Sequence, residues 1–237
     1  MKDDIITEIK KSKKITEGKS PGNAICYCEK CQISRYRHTH EPELSDSKHS
    51  YWDYLKYCIQ QVSVHGLWME FGVGSGKSIS FIAKNCAPNI VYGFDSFEGL
   101  PEDWIFSDNK IYKKNSYSRD GVAPDIGPSN VKLIKGLFED TLSAFCDRYN
   151  KQAAFIHIDC DLYSSTFHVL ETLFKKNMIA AGTVVLFDEF YNYQNYQDYE
   201  YKAFKEFTQK TKLPYKWIAH TDSFVDWNGN QCAVVVI

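Results

Sequence analysis

The chain has 237 residues, 43% of them hydrophobic, and a formal net charge of −2 at pH 7. That length and apolar share suit one large domain with a full core and room for an appendage. The near-neutral balance excludes a nucleic-acid binder that works by bulk electrostatics, and no apolar run approaches the roughly 20 residues needed to cross a bilayer.

Residues 1–47 read as a polar arm: Lys10, Lys11, Lys13 and Lys14 cluster there, and Pro21, Gly22 and Pro42 interrupt any regular pattern. The first fifteen residues hold no apolar stretch of signal-peptide kind, so the expectation is a cytoplasmic protein whose eight cysteines stay reduced. Within the arm, Cys26, Cys28 and Cys31 fall close together, followed by His38 and His40. A structural Zn²⁺ on those cysteines is one reading. The spacing is shorter than in ordinary zinc fingers and there is no second CxxC, so a reduced, partly ordered loop is the preferred one.

Residues 48–64 carry Tyr51, Trp52, Leu55, Cys58, Ile59 and Val62 at helical spacing. From Gly66 onward, strand-length apolar runs alternate with helical stretches. Strands are expected over Leu67–Val73, Ile90–Asp95, Val131–Gly136, Ala153–Cys160 and Thr183–Asp188. Helices are expected over Lys77–Asn85, Asp140–Tyr149, Ser165–Lys176 and Asp198–Lys210. This alternation predicts an α/β fold, a doubly wound Rossmann-like and mostly parallel sheet with helices on both faces. Tyr215–His220 and Gln231–Ile237, joined by Asp226, Asn228, Gly229 and Asn230, would close it with an antiparallel C-terminal strand. The connection over 97–130 is long enough to expect a substrate loop or lid, within a domain covering 48–237.

The most informative stretch runs from Trp68 to Ser78, where an apolar strand ends in glycines and enters a helix. Glycines there let the backbone turn tightly and bring N–H groups to a ligand at a helix N-terminus. A phosphate-binding P-loop ending in Gly76, Lys77 and Ser78 would need glycine where Phe71 stands. The dinucleotide fingerprint would need glycine where Lys77 stands. Glu70, Gly72, Gly74 and Gly76 instead match the E/D-x-G-x-G-x-G loop of S-adenosylmethionine-dependent methyltransferases. The next strand ends in Asp95, about 20 residues on, where a carboxylate can accept from ribose hydroxyls.

Four blocks sharpen that resemblance: Phe94–Pro101, Gly136–Leu142, Asp159–Thr166 and Phe187–Phe190. Together, in this order, they resemble the macrocin O-methyltransferase family, whose members methylate sugar hydroxyls with the help of a divalent metal. The resemblance runs from about Glu70 to Phe207. It implies a cofactor site on Glu70, Phe71, Gly72, Val73, Gly74, Gly76, Lys77, Ser78, Asp95, Ser96, Phe97 and Asp159, with adenine against Gly136, Leu137 and Phe138. It implies Mg²⁺ or another divalent cation on Asp159, Asp188 and Glu189, with Asp161 an alternative or additional ligand, and Asp159 and Asp188 as the catalytic pair. The family usually carries Asp-Asp where this chain has Asp188-Glu189.

Four carboxylates at two strand ends would repel one another without protons or a cation, and an oxygen-rich set suits Mg²⁺. The alternative is that Asp159 and Asp188 cap helices or bind the methionine ammonium. No general base is assigned: His157 should share the face of Asp159, and it reads, with His168 and His220, as structural. The expected acceptor is a small molecule, a sugar or similar polyol, with no nucleic-acid or membrane partner and with self-assembly left open. Two other functions stay open at this point: a nicotinamide- or nucleotide-binding oxidoreductase, and a non-catalytic cofactor-binding module.

Overall fold

The computed structural model describes residues 51–191, 193–220 and 231–237 in full, and 25–27, 34–36, 47–50 and 230 as backbone only. Two short strands, β1 (Ile25–Tyr27) and β2 (Ser34–Tyr36), pair antiparallel ahead of α1 (Ser47–Gln60). The zinc expectation falls outside what is described: Cys28 and Cys31 lie outside the described residues, and of Cys26 only the backbone is described.

The expected alternation follows in order: β3 (Leu67–Phe71), α2 (Lys77–Cys86), β4 (Val91–Asp95), then β5 (Trp104–Ser107) and β6 (Lys110–Tyr112). After β7 (Val131–Lys135) come α3 (Phe138–Tyr149), β8 (Ala153–Ile158), α4 (Tyr163–Lys175) and β9 (Val184–Tyr191). The chain closes with α5 (Glu200–Thr211), β10 (Tyr215–His220) and β11 (Asn230–Val236). One sheet holds nine of the strands in the order β1-β2-β10-β11-β9-β8-β3-β4-β7. Strands β3, β4, β7, β8 and β9 run parallel, and β11 lies antiparallel between β9 and β10.

The strands read as nearly unbroken apolar runs because both faces are covered. Along β9, Val184 and Leu186 join one buried cluster with Tyr54, Leu55 and Ile59 of α1 and Ile79 and Ile82 of α2. Val185 and Phe187 point the other way, into a cluster with Phe145 of α3, Leu170 of α4 and Phe204 of α5. Successive strand residues thus feed opposite layers, the period-2 rule at work.

From β3 the chain winds outward to β4 and β7 on one side and to β8 and β9 on the other. The reversal between β3 and β8 is where such sheets open a cleft at their carboxyl ends. Backbone bonds hold those ends level. Gly72 N–H donates to Phe94 O at 3.0 Å, Asp159 N–H to Phe71 O at 2.9 Å, and Gly136 N–H to Asp95 O at 3.0 Å.

The long 97–130 connection contains a feature that the sequence reading did not anticipate, the β5–β6 hairpin. A lone two-stranded ribbon is marginal in water. This one is pinned to the segment between β9 and α5. Ile105 N–H donates to the Tyr199 hydroxyl at 2.7 Å, and Asn195 Nδ2 to Ile105 O at 3.0 Å. Asp108 and Gln194 exchange two bonds at 3.1 and 2.6 Å. Trp104 stacks on Tyr112 (4.8 Å, 18°) and Phe106 on Tyr193 (4.6 Å, 11°).

Candidate active site

A cleft of about 360 Å³ lies at the carboxyl edge of the sheet, lined on one side by Gly72, Val73, Gly74, Ser75 and Ser78. The loop between β3 and α2 reaches it through three left-handed glycines, with φ of 90°, 50° and 81° at Gly72, Gly74 and Gly76. At Gly72 the need for glycine is also steric: a Cβ there would sit 1.8 Å from the Asp159 carbonyl oxygen. The loop and the end of β8 touch backbone to backbone.

Asp95, at the end of β4, fixes this loop. Its Oδ2 accepts from the N–H groups of Val73 and Gly74, both at 2.8 Å, and its Oδ1 from Phe97 N–H at 2.7 Å. Two ionised oxygens offer about four lone-pair directions, so the carboxylate keeps acceptor capacity toward the cleft. Ser96, Gly136, Leu137 and Phe138 continue the wall on this side. Leu137 is 43% exposed, and Phe138 meets the buried Phe71 edge to face at 5.6 Å.

Five residues of the expected cofactor set stand behind the wall instead of on it. Phe71 and Phe97 are buried in the two cores. Gly76 lies under Ile126 and Pro124 of the 97–130 segment, and Lys77 faces solvent. Glu70 is fully buried, where its Oε1 accepts from Ser78 Oγ at 2.8 Å and its Oε2 lies 3.2 Å from His157 Nδ1. Burial pushes the Glu70 carboxyl up, and His157 opposes that shift. Glu70 therefore ties α2 to β8 from beneath the cleft.

The other half of the cleft is acidic. Asp159, Asp161, Asp188 and Glu189 all line it. One carboxylate oxygen each from Asp159, Asp188 and Glu189 fall within 4.8 Å of one another. Asp161, with φ +60°, stands beside that triad at the turn into α4. Burial first, and then repulsion from Asp188, holds the Asp159 and Glu189 carboxyls well above the usual range. The same causes push Asp161 up to about 7. Glu189 Oε2 is buried with no hydrogen-bond partner.

His157 adjoins the cluster, as its shared face with Asp159 predicts, but it is only half satisfied. Its Nε2 faces Asp188 Oδ1 at 3.9 Å, beyond hydrogen-bond reach. Burial alone would lower its pKa, yet Asp188 and Glu70 together outweigh burial and raise it. His168 and His220 do not line the cleft.

Ser75, Gly99, Leu100, Pro101, Glu139, Cys160 and Ser165 also line the cleft from inside the motif blocks without being expected site residues, and Trp104 and Tyr117 line it from outside any motif. Five of these, Gly99, Leu100, Pro101, Trp104 and Tyr117, belong to the 97–130 segment. For Trp104 and Tyr117 the only signal is their place in an overlong loop. Trp104 is 2% exposed, and its Nε1 is buried without a partner.

Residues 49–227 match a family model described as Macrocin-O-methyltransferase (TylF). A 4′-O-methyltransferase of Streptomyces olivaceus, named for 8-demethyl-8-(2,3-dimethoxy-α-L-rhamnosyl)-tetracenomycin C, is 28% identical over 163 residues, 58% of this chain and 59% of that protein. The demethyldecarbamoylnovobiocin O-methyltransferase of Streptomyces niveus is 28% identical over 158 residues, 57% of this chain and 58% of that protein. The chain thus matches under two thirds of the length of these relatives. Among solved structures, the O-methyltransferase NovP superposes with a TM-score of 0.56 at 20% identity, covering 78% of each chain, which shows the shared fold.

Proposed function

The chain belongs to the macrocin O-methyltransferase family, and from that premise we propose that it transfers the methyl group of S-adenosylmethionine to a hydroxyl of a sugar or related small molecule. The observation that carries this is the meeting, in one cleft, of the Asp95-clamped glycine loop with the Asp159, Asp188 and Glu189 carboxylates. The cofactor fits the loop half. The N-terminus of α2 suits its carboxylate, the free capacity of Asp95 suits the ribose hydroxyls, and Leu137 and Phe138 suit the adenine. Membership of this family removes the ground for the nicotinamide-dependent alternative.

The acidic half suits a divalent cation. Three converging oxygens and the partnerless Glu189 Oε2 form a donor set that is costly without positive charge. Asp159, Asp188 and Glu189 would hold the cation, with Asp161 beside them. A divalent cation held there would supply Lewis acidity, lowering the pKa of an acceptor hydroxyl.

The chain's own contribution is placement. Gly72 brings the loop against Asp159, so the donor methyl and the acceptor hydroxyl are held on neighbouring strand ends. Leu100, Pro101, Trp104 and Tyr117 give an acceptor apolar and aromatic surface in the same cleft as the carboxylates, a combination suited to a sugar with a polar edge and a CH face. The relative named for a rhamnosyl acceptor supports that class. The reading is tested by calorimetric titration of the wild-type chain with S-adenosylhomocysteine. One site per chain is expected, and no binding would overturn it.

A further inference from the structure

Glu200 opens α5, outside every motif in the sequence, and is fully buried. Its Oε1 accepts from Cys160 N–H and its Oε2 from Glu189 N–H, both at 3.3 Å. Cys160 lies between Asp159 and Asp161, and Glu189 follows Asp188. One side chain from a third element thus spans the two chain segments that carry the whole acidic cluster.

The strand ladders do not do this. Pairing between β8 and β9 ends at Ile158↔Phe187, one residue short of the acids. On the other side of β9, the register with β11 is irregular between Cys232 and Asn230, where Asp188, Glu189 and Phe190 pass. Beyond the last rung, Glu200 is the one side chain among the described residues that binds backbone from both segments.

A buried carboxylate is an expensive choice for that task. Burial, and then Asp161 and Asp188, push its pKa well above the usual range. A neutral amide or hydroxyl would escape that repulsion but offers one acceptor oxygen for two N–H groups. What a carboxylate adds is two acceptors on one rigid fork and a further negative charge behind the cluster.

We propose that Glu200 is a positioning residue that sets the spacing of the Asp159, Asp188 and Glu189 oxygens and, through it, the affinity of the site for a divalent cation. The inference rests on the reading of that cluster as a metal centre. Residues that orient metal ligands without touching the metal typically change affinity 10- to 100-fold when replaced.

The test is Mn²⁺ binding, followed by electron paramagnetic resonance, on the wild-type chain and on Glu200→Gln. Gln keeps the size but offers one acceptor oxygen, and its amide N–H₂ opposes a backbone N–H. Mn²⁺ affinity is expected to fall at least about tenfold, while S-adenosylhomocysteine affinity, set by the loop and Asp95, stays within about twofold. A folded Glu200→Gln chain that binds Mn²⁺ like wild type overturns the inference and leaves the metal reading standing. Should that variant fail to fold by circular dichroism, Glu200→Asp, which keeps the charge but shortens the fork, decides on the same titration. A wild-type chain that binds no Mn²⁺ overturns both the inference and the metal reading.

Discussion

Two glycines of one loop should respond very differently to a single added methyl group. Gly72 and Gly74 both have positive φ, 90° and 50°, so alanine at either position meets left-handed backbone strain of about 1–2 kcal/mol. Their surroundings differ. A Cβ at Gly74 meets nothing within 4 Å, whereas one at Gly72 would lie 1.8 Å from Asp159 O and 2.8 Å from Asp159 C. Both of those atoms are backbone, held by the bond from Asp159 N–H to Phe71 O. Relief requires separating β3 from the end of β8, an overpacking cost of about 1–3 kcal/mol on top of the strain. For a chain of this size each kcal/mol shifts Tm by roughly 2–4 °C. Gly72→Ala should therefore melt roughly 2–12 °C below Gly74→Ala, measured by circular dichroism without cofactor. Equal melting temperatures, or a less stable Gly74→Ala, would refute the claim that the loop packs on Asp159.

The same contacts lead to three further expectations. Asp95→Asn leaves one acceptor oxygen for N–H groups now bound on both sides, so at least one charged hydrogen bond of about 1.5 kcal/mol is lost. The Kd for S-adenosylhomocysteine should rise roughly tenfold or more, and an unchanged Kd by calorimetry would count against the clamp. Mn²⁺ at about 100 times its Kd should stabilise the wild-type chain by about 2.7 kcal/mol and leave Asp188→Asn unmoved; equal thermal shifts in the two would remove Asp188 from the ligand set. Glu171 accepts from Lys175 and Lys210 at 2.8 and 2.5 Å, and hydrogen bonds from those lysines lower its pKa to about 2. A depressed folded pKa contributes stability above the ordinary carboxylate pKa and loses it as pH falls toward 2. Glu171→Gln should therefore cost less than about 1 kcal/mol at pH 7, with the gap to wild type closing in acid. A gap that widens in acid would reverse the sign.

Much of the fold was legible because the parallel strands are buried on both faces and read as apolar runs between helical stretches. Boundaries drifted where tertiary contacts decide them. β9 runs on to Tyr191 because that residue still pairs, with Asn230 of β11. α5 starts at Glu200, not Asp198, because a short 3-10 turn over Tyr196–Asp198 precedes it. The β5–β6 hairpin was hidden, since its strands are four and three residues long and its hydrogen-bond partners lie 86 to 94 residues downstream.

The site was legible to the extent that its residues sit at strand ends. Asp95, Asp159 and Asp188 each follow an apolar run, and position alone brings them to the carboxyl edge. Glu70 carries the motif pattern but lies on a strand interior, so its side chain goes to Ser78 and His157 and not to the cleft. Glu200 gave no signal at all. It looks like an ordinary acidic residue in the first turn of an amphipathic helix, and only the third dimension puts it behind two other segments' acids.

The most direct test of the central claim is to incubate the chain with methyl-labelled S-adenosylmethionine, Mg²⁺ and a panel of deoxyhexosides and other hydroxylated small molecules. Products are then followed by mass spectrometry and located by NMR. The label is expected on a hydroxyl oxygen of at least one sugar-bearing acceptor, and its transfer is expected to be lost in Asp188→Asn. Label found on nitrogen or carbon, or transfer undiminished in Asp188→Asn, would contradict that claim.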